Sequence, residues 1–307
     1  MSVVAGAVFC YHLKEDSVDG RILVWKVACD AVADHPLFGV GWENVAGAYG
    51  DAQETYFATD GGTFHEKRIA GAPSFLFNEY LQIALAFGIP AAILFVAMLV
   101  TAFVAYAKHG QMGLCGALTA FAVGCFFSYP LQFVEFKVMG LILLTCGMLC
   151  VKPRHLRTVL TILTVILCLM FVGSTPKVDV EADFQEAKYL ATIRRYEESN
   201  LILKWLLLRS SDPMPLNILG KNCQALGQRD SAEYWFLRAV NRVPNRFYPH
   251  YLLMKLYAED NVDSAKMLNE ARWILESEVK VASPAISDMQ KEARELIVRM
   301  SKNTVSK

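Results

Sequence analysis

The chain has 307 residues, and its 30 basic and 30 acidic residues cancel to a formal net charge of +0. That length suits about two domains, and the balance leaves no acidic or basic bias that would point to nucleic acid or an anionic partner. A hydrophobic fraction of 54% and a mean hydropathy of +0.30 are high for a soluble protein. The excess lies before residue 176, so a membrane domain over 1–175 and a soluble domain over 176–307 are expected.

Residues Met1 to Leu13 are apolar apart from Ser2 and His12. They supply about half to two-thirds of the ~20 residues of a spanning helix. No basic segment precedes them, as a signal peptide requires, and they read as the tail of a span whose beginning is missing. Asp16, Ser17 and Asp19 then offer N-caps for a helix running to about Asp34. Ile22, Trp25, Cys29 and Val32 fall on one side of it at helical spacing, which predicts either a helix on the membrane surface with Trp25 near lipid headgroups or a short helix of a soluble cap. Pro36 and Gly39 end it. Gly39-Val40-Gly41 is no nucleotide loop, because no strand precedes it and no third glycine follows in place. Asp51 to Gly71, rich in Gly, Thr and charge, reads as a mobile surface loop carrying His65, Lys67 and Arg68.

Four stretches are then long and apolar enough, or nearly so, to cross a bilayer: about 81–107, 112–132, 133–151 and 158–175. Lys108 and His109 lie between the first two, and Lys152, Arg154, His155 and Arg157 between the last two. By the positive-inside rule those connectors face the cytoplasm. Parity then puts residues 14–80 and everything after Pro176 on the outer side. Glu135 and Lys137, two apart, do not face each other on a helix and read as an interfacial pair. Of the eight cysteines, Cys115, Cys125, Cys146, Cys150 and Cys168 fall in apolar runs and read as packing residues. Neither a disulfide framework nor a zinc site is supported.

From Glu181 the pattern is helical with short polar breaks. Leu219-Gly220, Gly227, Ala232, Phe236, Ala239 and Pro244 stand at the offsets of a 34-residue tetratricopeptide unit, with looser copies on either side. Such units bury their apolar faces by stacking and commonly present a surface to a protein partner. The expected fold is therefore all-α: polytopic transmembrane helices with an extracytoplasmic loop, then a soluble helical-repeat domain.

Gly20-Arg21, Trp25, Asp34, Pro36 and Gly39-Val40-Gly41, followed by Asn78, Tyr80-Leu81-Gln82 and Gly88, resemble the O-antigen ligase and polymerase superfamily. The motifs cover about residues 19–107, and topology alone extends the likeness to 175. The resemblance implies a multispanning inner-membrane protein that moves a glycan from a polyprenyl diphosphate carrier to a lipid, glycan or protein hydroxyl on the periplasmic side. It implies no metal and no cofactor. Arg21 matches the family's loop arginine and is expected to bind the diphosphate, since a guanidinium fork suits phosphate oxygens. Arg68 and Lys67 would add positive charge, with Trp25, Asn78 and Tyr80 beside the substrate. Family ligases carry a His directly before the motif Asn as a general base; here that residue is Phe77, and Ala91 replaces a common Gly. Glu79, given a raised pKa, or His65 are the substitutes, unless the oxocarbenium-like transition state needs no base there. A non-catalytic, membrane-anchored scaffold of a glycan-assembly complex is the competing class. A transporter is disfavoured, because no span carries a midplane ion site.

Overall fold

A computed structural model describes residues 15–59, 61–152, 155, 157–159, 161–162, 179–259 and 263–305. The apolar N-terminal stretch, and most of the expected span at 158–175, lie outside the described residues. In chain order the helices are α1 (Glu15–Asp34), α2 (Val45–Ala58), α3 (Phe64–Ile69), α4 (Glu79–Phe87), α5 (Ile89–Lys108), α6 (Met112–Phe127) and α7 (Val134–Leu149). After these come α8 (Val180–Thr192), α9 (Tyr196–Leu207), α10 (Met214–Ala225), α11 (Arg229–Arg242), α12 (Phe247–Ala258), α13 (Ser264–Glu276) and α14 (Pro284–Val305). Short 3-10 turns occupy Trp42–Asn44 and Pro130–Gln132, and the described residues contain no strand. The chain divides into two compact units, 1–52 with 73–179 and 53–72 with 180–307.

In the first unit α1 packs against α4. Leu23, Val24, Val27, Ala28, Ala31 and Val32 of α1 are buried, while Ile22 and Cys29 are exposed. The buried stripe thus lies beside the one expected from Ile22, Trp25 and Cys29. Both have helical spacing, but the small side chains of Ala28 and Ala31 permit close approach of a neighbour.

The uncharged run expected as a single span, 81–107, is divided at Gly88 into α4 and α5. Gly88 has φ +90°, and a Cβ there would fall 2.1 Å from the Leu37 carbonyl oxygen. Gly39 has φ +65°, and its Cβ would meet the Ala86 backbone at 2.5 Å. Only glycine tolerates both the backbone angle and the contact. The Val40 and Gly41 amides donate to the Leu85 and Ala86 carbonyls at 2.9 Å each, and the Ile89 amide donates to Pro36 at 2.8 Å. The loop thereby satisfies carbonyls that the end of α4 would leave open. Pro90 falls in the first turn of α5, where its missing N–H costs nothing.

α5 is the one helix, among the described residues, long and apolar enough to cross a membrane. Its 20 residues span about 30 Å at 1.5 Å each. α6 and α7 are shorter, at 16 residues each, because the chain breaks at Tyr129-Pro130. The three pack through small residues. A Cβ on Gly147 of α7 would lie 2.5 Å from that of Ala102 on α5, and one on Gly140 would strike the Phe121 ring of α6. The Tyr106 hydroxyl donates to the Leu143 carbonyl at 2.6 Å.

In the second unit, helices α8 to α14 each pack on the next. Leu219, Ala232, Phe236 and Ala239 are fully buried, and Gly220 leaves room for the Phe236 ring, which a Cβ would approach to 2.3 Å. Of the positions singled out by the repeat pattern, Leu219, Gly220, Ala232, Phe236 and Ala239 are buried on α10 and α11, while Gly227 is exposed in the turn between them and Pro244 is half-buried after α11. The segment expected as a mobile loop is helical: α2 runs to Ala58, and α3 opens with a capping box between Thr63 and Glu66. That box, Thr63-Phe-His-Glu66, is a sequence signal for a helix start which the charge and glycine content of the segment obscured.

Buried polar groups make 53–72 part of this unit. The Glu54 carboxylate accepts from Arg242 at 2.5 Å and from Arg238 at 2.6 Å, and Arg242 is fully buried. Arg242 also donates to the Ser210 carbonyl at 3.1 Å. The Gln53 amide donates to the carbonyls of Arg242 and Gly71, and Asn245 donates to those of Arg68 and Ala70 at 2.7 Å each. Removing one partner of a buried ion pair leaves an uncompensated charge, which typically costs about 3–5 kcal/mol. Glu54→Gln should therefore destabilise the second unit by about that amount, read as lost amide-exchange protection in α10 and α11. Adding Arg242→Met should restore part of the loss; additive effects of the two changes would show that the pair is not coupled.

Candidate active site

Five of the residues expected at the site lie in the first unit, around the start of α4. Asn78 is the N-cap of α4, its side-chain oxygen accepting from the Tyr80 and Leu81 amides at 3.0 and 3.1 Å. Leu76 has both backbone groups held by side chains. Its carbonyl accepts from the Trp25 indole at 3.0 Å, and its amide donates to Gln82 Oε1 at 3.2 Å. Between these anchors Phe77 takes φ +54°, a left-handed conformation costly for a bulky residue and sustained only where the surroundings enforce it. Trp25 is thus tied to the chain rather than offered to headgroups, and its ring meets Phe126 edge-on at 5.4 Å.

Arg21, exposed on α1, donates from one guanidinium arm to the Phe127 carbonyl at 3.0 Å. Its guanidinium carbon sits 5.3 Å from the centre of the Phe77 ring. A cation over an aromatic face is attracted by the ring quadrupole. Phe77 packs in turn on Tyr129, as does Phe75. Phe77 cannot exchange a proton, and its ring props up the arginine. Tyr80 turns its hydroxyl to the Ala122 carbonyl at 2.9 Å, so that group anchors α6.

Glu79 is fully buried. One carboxyl oxygen accepts from the Leu131 amide at 2.6 Å, and the other has no partner. Burial pushes its pKa from the ordinary 4.5 up to about 8, against the opposing pull of the Leu131 amide and the Lys137 charge. The Lys137 charge acts on Glu79, a relation that pattern reading missed, as it missed the roles of Gln82 and Leu131. Gln82 was legible as a motif residue; Leu131 was not, since a backbone amide leaves no trace in sequence.

His65, Lys67 and Arg68 belong to the second unit, on α3. Arg68 lies 3.5 Å from the His65 ring nitrogen and 3.6 Å from the carboxylate of Glu278. Among the described residues no group of three His, Cys, Asp or Glu side chains could hold a metal.

Glu79 carries a consequence for stability. Between pH 4.5 and about 8 the folded state holds a proton that the unfolded state has released. Stability should fall as pH rises through that window. Glu79→Gln keeps an acceptor for the Leu131 amide and should flatten the slope, raising the melting temperature at the upper end. Parallel slopes for the two proteins would refute the assignment.

A family model described as O-Antigen ligase matches residues 2–96. That range contains Arg21, Trp25, Asn78, Glu79, Tyr80 and both glycines of the α4–α5 junction. No curated protein and no solved structure matches the chain. The match covers less than half of the chain and supports a likeness to the O-antigen ligase superfamily.

Proposed function

We propose that the protein is a glycosyl-transfer protein of the bacterial inner membrane. It moves a glycan from a polyprenyl diphosphate carrier to an acceptor hydroxyl on the periplasmic side. The observation that carries this reading is an exposed arginine at the motif position, braced beneath by Phe77 and from the side by the Phe127 carbonyl, within the stretch that matches the ligase family. As the bond from sugar C1 to the diphosphate breaks, negative charge grows on the leaving oxygen, and a fixed guanidinium stabilises it there. The acceptor oxygen then bonds C1, and its proton passes to the departing diphosphate or to solvent. Phe77 cannot take that proton, and Glu79, buried and largely protonated at neutral pH, is a poor base there. An oxocarbenium-like transition state demands little activation of the nucleophile, which fits a site built on charge stabilisation. On this reading Trp25, Asn78, Gln82 and Glu79 hold the Arg21–Phe77 platform, and Lys67, Arg68 and His65 form a separate cationic set on α3. In a second reading, favoured by Phe77 and by the pairing of Arg68 with Glu278, the chain is a membrane-anchored repeat scaffold.

Compartment parity supports the expected topology. Residues 53–72 and 180–307 pack as one unit and so share one side of the bilayer. The chain between them must then cross an even number of times. α5 supplies one crossing, and the return has to come from the remaining apolar segments up to about 175. Cysteine labelling at His65 and at Lys221 should give the same, periplasmic, accessibility. Opposite accessibility would overturn both the parity and the span count.

Arg21→Ala should abolish transfer at unchanged abundance, and Arg21→Lys should recover little, because an ammonium cannot fork between a carbonyl and a phosphate. Losing one contact to a developing anion costs ~3–4 kcal/mol, about 10²–10³ in rate. If Arg21 only caps the end of α6, Ala should lower abundance and Lys should serve nearly as well. Equal transfer by Arg and Lys at matched expression would leave the scaffold reading standing.

A further inference from the structure

The loop that seals the end of α4 carries two large apolar side chains that nothing in the proposed reaction uses. Leu37 is 63% exposed and Phe38 88% exposed. The backbone around them is fixed on both sides. The Pro36 carbonyl accepts from Ile89, the Leu37 carbonyl lies against Gly88, and the Val40 and Gly41 amides donate to the last carbonyls of α4. With its main chain committed inward, the loop presents the two side chains away from the protein. They stand at the N-terminal end of α5, whose Ile89, Ile93, Val96 and Val100 are also exposed. Those four recur at helical spacing and form one apolar stripe. The wedge and the stripe meet at Ile89, and the exposed Asp34 and His35 adjoin the wedge on its polar side.

We infer that Leu37 and Phe38 form a lipid-inserting wedge. They enter the outer leaflet at the boundary of headgroups and acyl chains, where α5 begins its crossing. The occupant is lipid, because the patch continues the apolar stripe of a helix long enough to span a bilayer. The loop is rigid and short, so the wedge fixes the depth of the α4–α5 junction, and with it the level at which the Arg21–Phe77 platform of the same unit stands above the acyl chains.

The inference rests on the membrane reading above, and the test separates the two. The full chain, with Cys10, Cys29, Cys146, Cys150 and Cys168 replaced by Ser so that only the buried Cys115, Cys125 and Cys223 remain, is reconstituted into liposomes of phosphatidylethanolamine and phosphatidylglycerol. It carries one bimane label at Phe38→Cys, at Leu37→Cys or at Ile93→Cys, with or without lipid brominated near the top of its acyl chains. Side chains inserted about 5–10 Å below the interface should lose roughly half their emission to bromine at positions 38 and 37, as well as at 93. Quenching at 93 with none at 37 or 38 would overturn the wedge and leave the membrane reading intact. No quenching at any of the three would remove both.

Discussion

The first unit depends on how the two ends of α4 are closed. At the start, the Asn78 side chain takes up the Tyr80 and Leu81 amides. At the finish, the Pro36–Gly41 loop donates two amides to the last carbonyls and lies so close that neither Gly39 nor Gly88 can bear a Cβ. A helix of nine residues is too short to persist on its own hydrogen bonds. Its persistence comes from those closures and from the face of α1 packed along it. Because the closures are made by backbone atoms, they impose glycine at two places far apart in sequence. That is the physical content of motif residues that otherwise look like a fragment of a phosphate-binding loop.

The same economy governs the candidate site. Trp25, Gln82 and Asn78 act on the backbone on either side of Phe77 and hold it in a left-handed conformation. Its ring then lies beneath Arg21. A motif arginine that would swing freely on its helix is instead fixed at two points, on an aromatic face and on a carbonyl. Preorganisation of this sort serves electrostatic stabilisation, since a charge already in place needs no reorganisation when the leaving group departs. A phenylalanine at this point offers no proton transfer and gives the cation a flat ring.

In the second unit, charge does what apolar packing does elsewhere. Glu54 is shared by two arginines one helical turn apart on α11, and one of them is fully buried. Such an arrangement is expensive to break and insensitive to small shifts, so it fixes which segment docks and in which register. Asn245 continues the lock by gripping the main chain of Arg68 and Ala70. The helices of this unit therefore organise a distant stretch of chain in addition to stacking on one another.

Much of this was legible in the residues. Periodicity located α1 and the helices of the tail, the break at Tyr129-Pro130 stopped α6, and the motif spacing picked out Arg21, Trp25, Asn78 and Gly88. Local rules suffice there, because helix caps, helical stripes and glycine positions are set by neighbours a few residues away. The fate of 53–72 was not legible, since Glu54 finds its arginines 184 and 188 residues later. Nor was the buried state of Glu79, whose carboxyl meets an amide 52 residues on. Sequence determined most of the helical segments, though not α2, α3 or the division of α4 from α5, and it determined which residues carry charge. Only the tertiary structure decided which of those charges are buried and which ring lies under the arginine, because desolvation and stacking depend on what distant segments bring into contact.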